Sequence, residues 1–235
     1  MEPQNLIRDI KKTLANVTFE VGALGYALMT RAPTWRAHCA DLVEQAKIEN
    51  GHRVLDLGCG PGISAFGMLD RVPDAEIVGL DLSRTMLFLA EQWRKRERNG
   101  HRVEFVRADA TRLPFADHSF DAVTGHSFLY LLPDAEGVLR EVKRVLRPGG
   151  RCAFLEPNAN TFDTLVPPEI LGQTLEDPRF VLAMTLWRFY SRTYGRFDED
   201  RFRQVFTAAG LVPIRCEMTL SGLGLFGIAE AKEGS

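Results

Sequence analysis

The sequence predicts an α/β fold built on a doubly wound, parallel β-sheet, and two observations predict it. Apolar, strand-like segments alternate with amphipathic, helix-like segments between residues 53 and 155, as expected for consecutive βαβ units. The segment Val54–Gly62 has the pattern of a buried strand that ends in a glycine-rich loop, and a helix opens at Ile63. A strand, a glycine loop and a helix N-terminus together predict a nucleotide-type binding site.

Composition narrows the class of protein. The 235 residues suit one α/β domain with a cap, and the net charge of −2 leaves no electrostatic footprint for nucleic acid. The four cysteines are widely scattered and form no CxxC pair or Cys/His cluster, so no metal site is expected. The chain starts without a signal-like apolar region and contains no bilayer-length apolar run. These features predict a cytoplasmic protein with free thiols.

An N-terminal helical cap is predicted over residues 1–50. Apolar residues recur at helical spacing from Leu6 to Val17, and a second helix is predicted over Thr34–Ile48. That helix should stop at Asn50-Gly51, a helix-ending pair. The remainder, residues 51–235, forms the main domain.

Strands and helices then alternate through the main domain. Five strands are predicted at Arg53–Leu57, Glu76–Leu82, Val103–Ala108, Phe120–His126 and Arg151–Leu155. The helices between and after them are predicted from Ile63, from Ser83 to about Arg98, over Asp134–Leu146 up to a turn at Arg147–Gly150, and over Glu199–Ala209. Two last strands, near Val212–Met218 and Leu223–Ala231, are joined by a hairpin turn at Ser221-Gly222.

Residues 157–197 interrupt this alternation after the fifth strand. They contain Pro167-Pro168 and a segment rich in aromatic residues between Phe180 and Tyr194. We expect this insertion to cover the open edge of the sheet together with the N-terminal helices. Its apolar content indicates a lipophilic or aromatic ligand.

The glycine spacing distinguishes between nucleotides. A dinucleotide fingerprint requires a small residue at its sixth position, where this chain has Ile63, and the third glycine arrives one residue early, at Gly62. No Gly-Lys-Ser/Thr follows, which excludes a P-loop. Asp81 ends the second strand and can accept hydrogen bonds from both hydroxyls of a ribose. Asp109 follows the third strand at the same edge, within reach of an adenine amino group.

The chain resembles the class I S-adenosylmethionine-dependent methyltransferases over about residues 50–156, and most of all the small-molecule, ubiquinone/menaquinone-type enzymes. The resemblance implies a Rossmann-like sheet of seven strands with an antiparallel last strand. It is carried by five motifs in the family's order: Val54–Gly62, Gly79–Ser83, Ala108–Ala110, Ser119–Val123 and Leu146–Gly150.

The resemblance also implies a set of residues that bind S-adenosylmethionine. The glycine loop would lie against its methionine part, Asp56 near its amino group, and Asp81 on the ribose, with adenine between Leu82 and Met86 and its amino group on Asp109. Asp56 can instead order the loop, and Met86 can instead be a core residue. The complete set is Asp56, Gly58, Gly60, Gly62, Asp81, Leu82, Met86, Asp109, Ala110, His126 and Ser127.

Methyl transfer from a sulfonium mainly requires an aligned nucleophile, and alignment can supply about 7–11 kcal/mol of the barrier reduction. His126 is the first candidate for a general base, because it ends a strand and titrates near neutrality. Glu156 is the second candidate, and it can instead orient a hydroxyl or ammonium group of the substrate. Four aromatic residues are predicted to line the substrate pocket: Tyr26, Tyr130, Trp187 and Tyr190.

Three alternatives stay open at this point. A phospholipid N-methyltransferase at a membrane surface is one, because Arg8, Lys11 and Lys12 lie beside an apolar stripe. An NAD-dependent oxidoreductase and a non-catalytic cofactor-binding protein are the others. Amino-methyltransferases of nucleic acids carry an Asn/Asp-Pro-Pro-aromatic motif after the fourth strand, where this chain has Gly125–Phe128.

Overall fold

The computed structural model describes residues 27–161, 168–172 and 176–232. Within these residues seven strands form one sheet in the order β3-β2-β1-β4-β5-β7-β6. The strands β1 to β5 run parallel, and β7 pairs antiparallel with both β5 and β6, which confirms the predicted fold. Their bounds are β1 Arg53–Leu57, β2 Glu76–Asp81, β3 Val103–Arg107, β4 Phe120–His126, β5 Leu146–Pro157, β6 Val212–Thr219 and β7 Gly224–Glu230.

Helices flank the sheet, and several begin at a side chain that caps the helix N-terminus. Ser83, Asp134 and Asp198 each accept a hydrogen bond from the backbone N–H three residues ahead, which satisfies a donor that the helix itself leaves unpaired. The helices are α1 Pro33–Ala40, α2 Leu42–Gln45, α3 Ile63–Arg71, α4 Arg84–Arg94, α5 Ala135–Val145, α6 Pro168–Leu171, α7 Pro178–Tyr194 and α8 Glu199–Ala208.

The central strand β1 explains the position of the site. It pairs with β2 on one side and β4 on the other, and its residues from Val54 to Leu57 are fully buried. The strand order therefore reverses between β1 and β4. At such a switch point the loops leave in opposite directions and open a crevice at the carboxyl ends of the strands.

Three predicted boundaries differ from the structure by more than two residues. The helix predicted over Thr34–Ile48 is divided at Asp41, whose carboxylate binds Arg71 of α3 and whose backbone lies between α1 and α2. The helix from Ser83 ends at Arg94, because the following residues form tight turns and Gly100 packs against the Arg94 carbonyl.

The turn predicted at Arg147–Gly150 lies inside β5. Phe120 pairs with Leu146 and Ala122 pairs with Arg151, so the extra residues form an irregularity within the strand. The Gly149 N–H donates to the Ala231 carbonyl, which keeps this segment attached to the sheet.

The insertion after β5 contributes α6 and α7, and α7 contacts the N-terminal region. Trp35 of α1 packs edge-on against Trp187 of α7, with ring centroids 5.7 Å apart. Arg36 fixes α1 to the main domain, since its guanidinium binds Asp70 at 2.7 Å and Glu97 at 3.0 Å. The predicted first helix, Leu6 to Val17, lies outside the described residues, and the proposed division at residue 50 stays a prediction.

No helix in the described part of the chain combines the length and the apolar character needed to cross a membrane.

We predict that Gly227→Ala destabilises the fold by about 1–3 kcal/mol, the range for overpacking a core. A Cβ at Gly227 on β7 would lie 2.3 Å from the ring of Phe202 on α8. Chemical unfolding measures the change in the free energy of unfolding. The control is Gly172→Ala, where a Cβ meets nothing within 4 Å, and this variant should stay within about 0.5 kcal/mol of the wild type. Equal stability of the two variants would contradict the packing of α8 on β7.

Candidate active site

A cavity of about 560 Å³ opens at the carboxyl ends of β1, β2, β3 and β4. One end is formed by the glycine loop after β1 and by the residues after β2 and β3. The other end is formed by aromatic and apolar side chains of α1, α7 and the segment after β4. The structure therefore brings most of the residues predicted to bind the cofactor or the substrate to one continuous cavity.

Gly60 leaves room in the wall of this cavity. Its φ of +51° lies in the left-handed region, and a Cβ placed on it would meet no atom within 4 Å. Gly58 has a different constraint, because a Cβ there would overlap the ring of Phe128 at 2.3 Å. Gly62 caps α3 and is not part of the cavity wall. Only the first two glycines of the predicted set therefore face the cavity.

Asp81 connects the glycine loop to the end of β2. Its Oδ2 accepts a hydrogen bond from the Gly60 N–H at 2.9 Å, and its Oδ1 accepts one from the Ser83 N–H at 2.8 Å. A carboxylate offers about four acceptor positions, so it can serve ribose hydroxyls as well as the loop. Leu82 and Met86 line the cavity beside it, as the sequence predicts for an adenine site.

Asp109 lies at the same edge, after β3. Its Oδ1 accepts hydrogen bonds from both the backbone N–H and the hydroxyl of Thr111, at 2.9 and 2.8 Å. This turn orders the carboxylate at the cavity wall, with the buried Ala110 next to it. The arrangement is compatible with a contact to an adenine amino group.

Asp56 lies behind the cavity wall rather than on it. Both carboxylate oxygens accept hydroxyl groups: Oδ1 accepts Thr124 of β4 at 2.9 Å, and Oδ2 accepts Ser64 of α3. Burial, with a smaller contribution from the charge of Asp81, raises the pKa of Asp56 to about 6. The sequence predicts that Asp56 either contacts the amino group of the cofactor or orders the glycine loop, and both predictions are revised. The carboxylate joins β1, α3 and β4 through hydrogen bonds with side chains, without binding backbone N–H groups of the loop.

His126 and Ser127 line the cavity at the end of β4. The Nε2 atom of His126 and the hydroxyl of Ser127 are buried, and neither has a hydrogen-bond partner among the described residues. Trp35 covers the imidazole, with ring centroids 4.8 Å apart. Burial lowers the pKa of His126 to about 3, so the ring is neutral at physiological pH and weakly basic.

Glu156 is placed differently from the prediction. It is fully buried, and its carboxylate accepts the backbone N–H groups of three consecutive residues after β4. It does not line the cavity. The prediction that it contacts the substrate is therefore revised: it binds the chain that forms the wall.

The predicted aromatic pocket is partly present. Tyr130 and Tyr190 line the cavity, whereas Trp187 is buried behind Trp35 and does not reach it. Tyr26 lies outside the described residues. Tyr194, which the sequence also offers as a pocket residue, lines the cavity as well, and wall residues that the prediction omitted include Met29, Trp35, Phe128 and Leu186. For Leu186 the helical spacing with Tyr190 was the available signal, since residues four apart share a helix face.

Comparison with known proteins identifies the family. A family model described as a methyltransferase domain matches residues 55–154. A demethylmenaquinone methyltransferase of Geobacillus stearothermophilus is 32% identical over 225 residues, which cover 88% of this chain and 92% of the relative. The chain belongs to the class I S-adenosylmethionine-dependent methyltransferases.

Three further similarities differ in extent. A demethylmenaquinone methyltransferase of Thermus thermophilus is 44% identical over 52% of this chain and 53% of its own. Another methyltransferase is matched over 41% of its length, so the chain spans about half of these two relatives. A solved structure of a putative S-adenosylmethionine-dependent methyltransferase from Methanococcus maripaludis matches with a TM-score of 0.68 at 18% identity, over 92% of this chain and 94% of that one. This last likeness shows the fold.

The site fits the cofactor of this family. The open space beside Gly60 admits a close approach of the methionine part, and the unpartnered Ser127 hydroxyl lies on the same wall. Asp81 and Asp109 bring two carboxylates to the edge where the ribose and adenine would bind. The glycine loop and these two acids are thus the residues that would hold S-adenosylmethionine.

We predict that Asp81→Ala lowers the affinity of the methyltransferase for S-adenosylhomocysteine about 10- to 100-fold. Hydrogen bonds to a charged group contribute about 1.5–3 kcal/mol each, and the variant also releases the Gly60 N–H. Isothermal titration calorimetry gives the dissociation constant. Asp74→Ala, which removes an exposed carboxylate before the other end of β2, serves as the control. Affinity equal to wild type in Asp81→Ala would remove this carboxylate from the cofactor site.

We predict that Gly60→Ala lowers cofactor affinity about tenfold or more, because its methyl group would occupy the space beside the loop. The matched control is Gly51→Ala, at the opposite end of β1. Gly51 also has a positive φ, +85°, and a Cβ there also meets nothing within 4 Å. Both variants bear a similar backbone strain of about 1–2 kcal/mol. Calorimetry should show a loss of affinity in Gly60→Ala alone, and an equal effect in both would contradict the assignment.

Proposed function

We propose that this methyltransferase transfers the methyl group of S-adenosylmethionine to a small, lipophilic or aromatic acceptor. The observation that carries this proposal is the continuity of the cavity, from the carboxylates after β2 and β3 to the aromatic wall made by Trp35, Tyr130 and Tyr190. A donor and an acceptor bound in this space lie next to each other. The acceptor atom, whether oxygen, carbon or nitrogen, stays open.

The distribution of charge supports an uncharged acceptor. Among the described residues of the cavity wall, the charged side chains are Asp81, Arg107 and Asp109. Asp81 ends β2, Arg107 ends β3 and Asp109 follows β3, so all three lie at the end of the cavity where the methyl donor would bind. The other end offers rings, aliphatic side chains and the neutral imidazole of His126. A charged acceptor would lose its hydration there without a compensating partner, which is costly.

The residues of the chain contribute mainly alignment and exclusion of water. S-adenosylmethionine, when bound, supplies an already activated methyl group. Trp35 of α1 and Tyr190 of α7 line the space at its aromatic end, so an acceptor bound there would be partly shielded from water. His126 stays neutral and is a weak base, which suits orientation of the acceptor better than removal of a proton from a phenol.

The relatives support the same substrate class. Two of the three relatives described above are named demethylmenaquinone methyltransferases, so their acceptor is a quinone-derived ring. An acceptor of this kind, lipophilic and aromatic, matches the wall of the cavity. The proposal includes a cytoplasmic setting and no nucleic-acid partner, which the mixed charge of the chain supports.

A transfer assay with labelled S-adenosylmethionine tests the proposal against panels of quinols, phenols, amines and phospholipids. We expect label in a quinol or phenol product. Transfer to a phospholipid headgroup would support the alternative of a phospholipid N-methyltransferase. Binding of S-adenosylhomocysteine without transfer to any panel would favour a non-catalytic cofactor-binding protein.

We predict that His126→Ala lowers kcat about tenfold or more, while the affinity for S-adenosylhomocysteine stays within about threefold of wild type. The reason is that the imidazole orients the acceptor and supports Trp35, with which it is in contact. Steady-state kinetics and calorimetry separate the two effects. The control is His101→Ala, an exposed residue before β3. Turnover equal to wild type in His126→Ala would exclude a role of this side chain in catalysis.

A further inference from the structure

Glu156 binds the backbone of the segment that follows β4. Its Oε1 accepts the N–H groups of Phe128 at 3.1 Å and Leu129 at 2.8 Å, and its Oε2 accepts that of Tyr130 at 3.3 Å. These are the N–H groups at the start of a three-residue 3₁₀-helix, Leu129–Leu131. So short a helix cannot satisfy these donors itself. The carboxylate of β5 therefore supplies acceptors that the local chain lacks.

This segment, residues 127–132, touches both halves of the site. Phe128 packs so closely on Gly58 of the glycine loop that no Cβ fits between them. Tyr130 and Leu131 form part of the cavity wall at the end where the acceptor would bind. The segment begins at Ser127 with a φ of +54°, a strained conformation for a residue with a side chain. Its conformation thus depends on contacts from outside, of which Glu156 makes three.

We propose that Glu156 is a positioning residue, which holds residues 127–132 in the conformation that aligns donor and acceptor, and does so only while its carboxylate is ionised. The proposal rests on the proposed function and deepens it, since it adds a pH-dependent control of the same site.

Ionisation matters because protonation changes what the carboxyl group can accept. The ionised form has two acceptor oxygens for three N–H donors, and the protonated form turns one oxygen into a donor. Burial raises the pKa of Glu156 to about 7, although the three N–H groups and Arg201 act in the opposite direction. The group therefore changes its charge in the physiological range.

The charged groups around Glu156 are few among the described residues. The charge of Arg201 on α8 acts on the Glu156 carboxylate. On the neighbouring strand β7, the residue paired with Glu156 is the apolar Leu225. His126 of the neighbouring β4 stays neutral, because burial lowers its pKa to about 3. Arg188 of α7, which packs on β5, is buried and donates to Thr161. Glu44 of α2, which also contacts β5, is exposed.

Ionisation of Glu156 is expected to order the site but to lower the stability of the whole fold. Because the pKa is raised in the folded state, the contribution of Glu156 to stability is largest below its usual value of 4.5 and falls as the pH rises to about 7. The order of residues 127–132, in contrast, requires the ionised form and increases as the pH rises through about 7. Removing the charge should therefore leave the fold as stable or more stable at pH 8, while it weakens the site.

The test compares wild type with Glu156→Gln, which keeps the volume and removes the ionisation. At pH 8 we expect the variant to have an equal or higher Tm and an affinity for S-adenosylhomocysteine about tenfold lower. Between pH 8.5 and 6.5 the affinity of the wild type should fall with an inflection near pH 7, which the variant lacks. Asp56 titrates lower, near 6, and is present in both proteins.

Two further variants separate charge from shape. Glu156→Asp keeps the charge but shortens the side chain, so it should weaken binding and keep the pH dependence. Glu230→Gln removes a partly exposed carboxylate of the same sheet, and it should behave as wild type. If Glu156→Gln keeps the inflection near pH 7, or if its Tm and affinity fall together, the proposal is wrong and the role is structural.

Amide hydrogen exchange gives a readout that needs neither cofactor nor acceptor. Relative to intrinsic rates, the amides of residues 128–130 in the wild type should lose protection about tenfold between pH 8 and pH 6, and those of Glu156→Gln should be weakly protected at both. Equal protection in the two proteins would overturn the proposal. A wild type that fails to bind S-adenosylhomocysteine would instead refute the proposed function, and the exchange result would still decide the role of Glu156.

Discussion

The hydrogen bonds of Asp81 are the constraint on which the site depends. This carboxylate accepts the N–H groups of Gly60 and Ser83, so it joins the loop after β1 to the start of α4. The two loops would otherwise leave the sheet independently. Their connection fixes one end of the cavity, where Gly60 leaves open space. A bound nucleoside with two adjacent hydroxyls would meet the same carboxylate that binds the loop.

Acids at the ends of parallel strands perform two different tasks here. Asp81 and Asp109 reach the cavity wall, whereas Asp56 and Glu156 are fully buried and bind parts of the chain. Both buried acids act on β4 or on the segment after it, through Thr124 and the N–H groups after Ser127. Burial raises the pKa of Asp56 to about 6 and that of Glu156 to about 7. Keeping these buried carboxylates ionised therefore costs the fold stability.

The sequence predicted the fold well where patterns are local. The strands Arg53–Leu57 and Phe120–His126 were predicted with their observed bounds, because each is a short segment with apolar residues at its centre and turn residues nearby. Glu156 was misjudged because its place at a strand end is visible in the sequence, while the backbone that folds onto it comes from 26 to 28 residues earlier. Trp187 looked equivalent to Tyr190, and only the packing of α7 on Trp35 shows which of them faces the cavity.

S-adenosylmethionine is the methyl donor that we propose for this sheet edge. The most direct measurement is a calorimetric titration of the wild-type protein with S-adenosylhomocysteine and, separately, with NAD⁺. The structure predicts stoichiometric binding of S-adenosylhomocysteine and an affinity for NAD⁺ at least about a hundredfold weaker, since the sixth position of the glycine loop is Ile63. Binding of NAD⁺ as tight as that of S-adenosylhomocysteine, or no binding of S-adenosylhomocysteine, would contradict it.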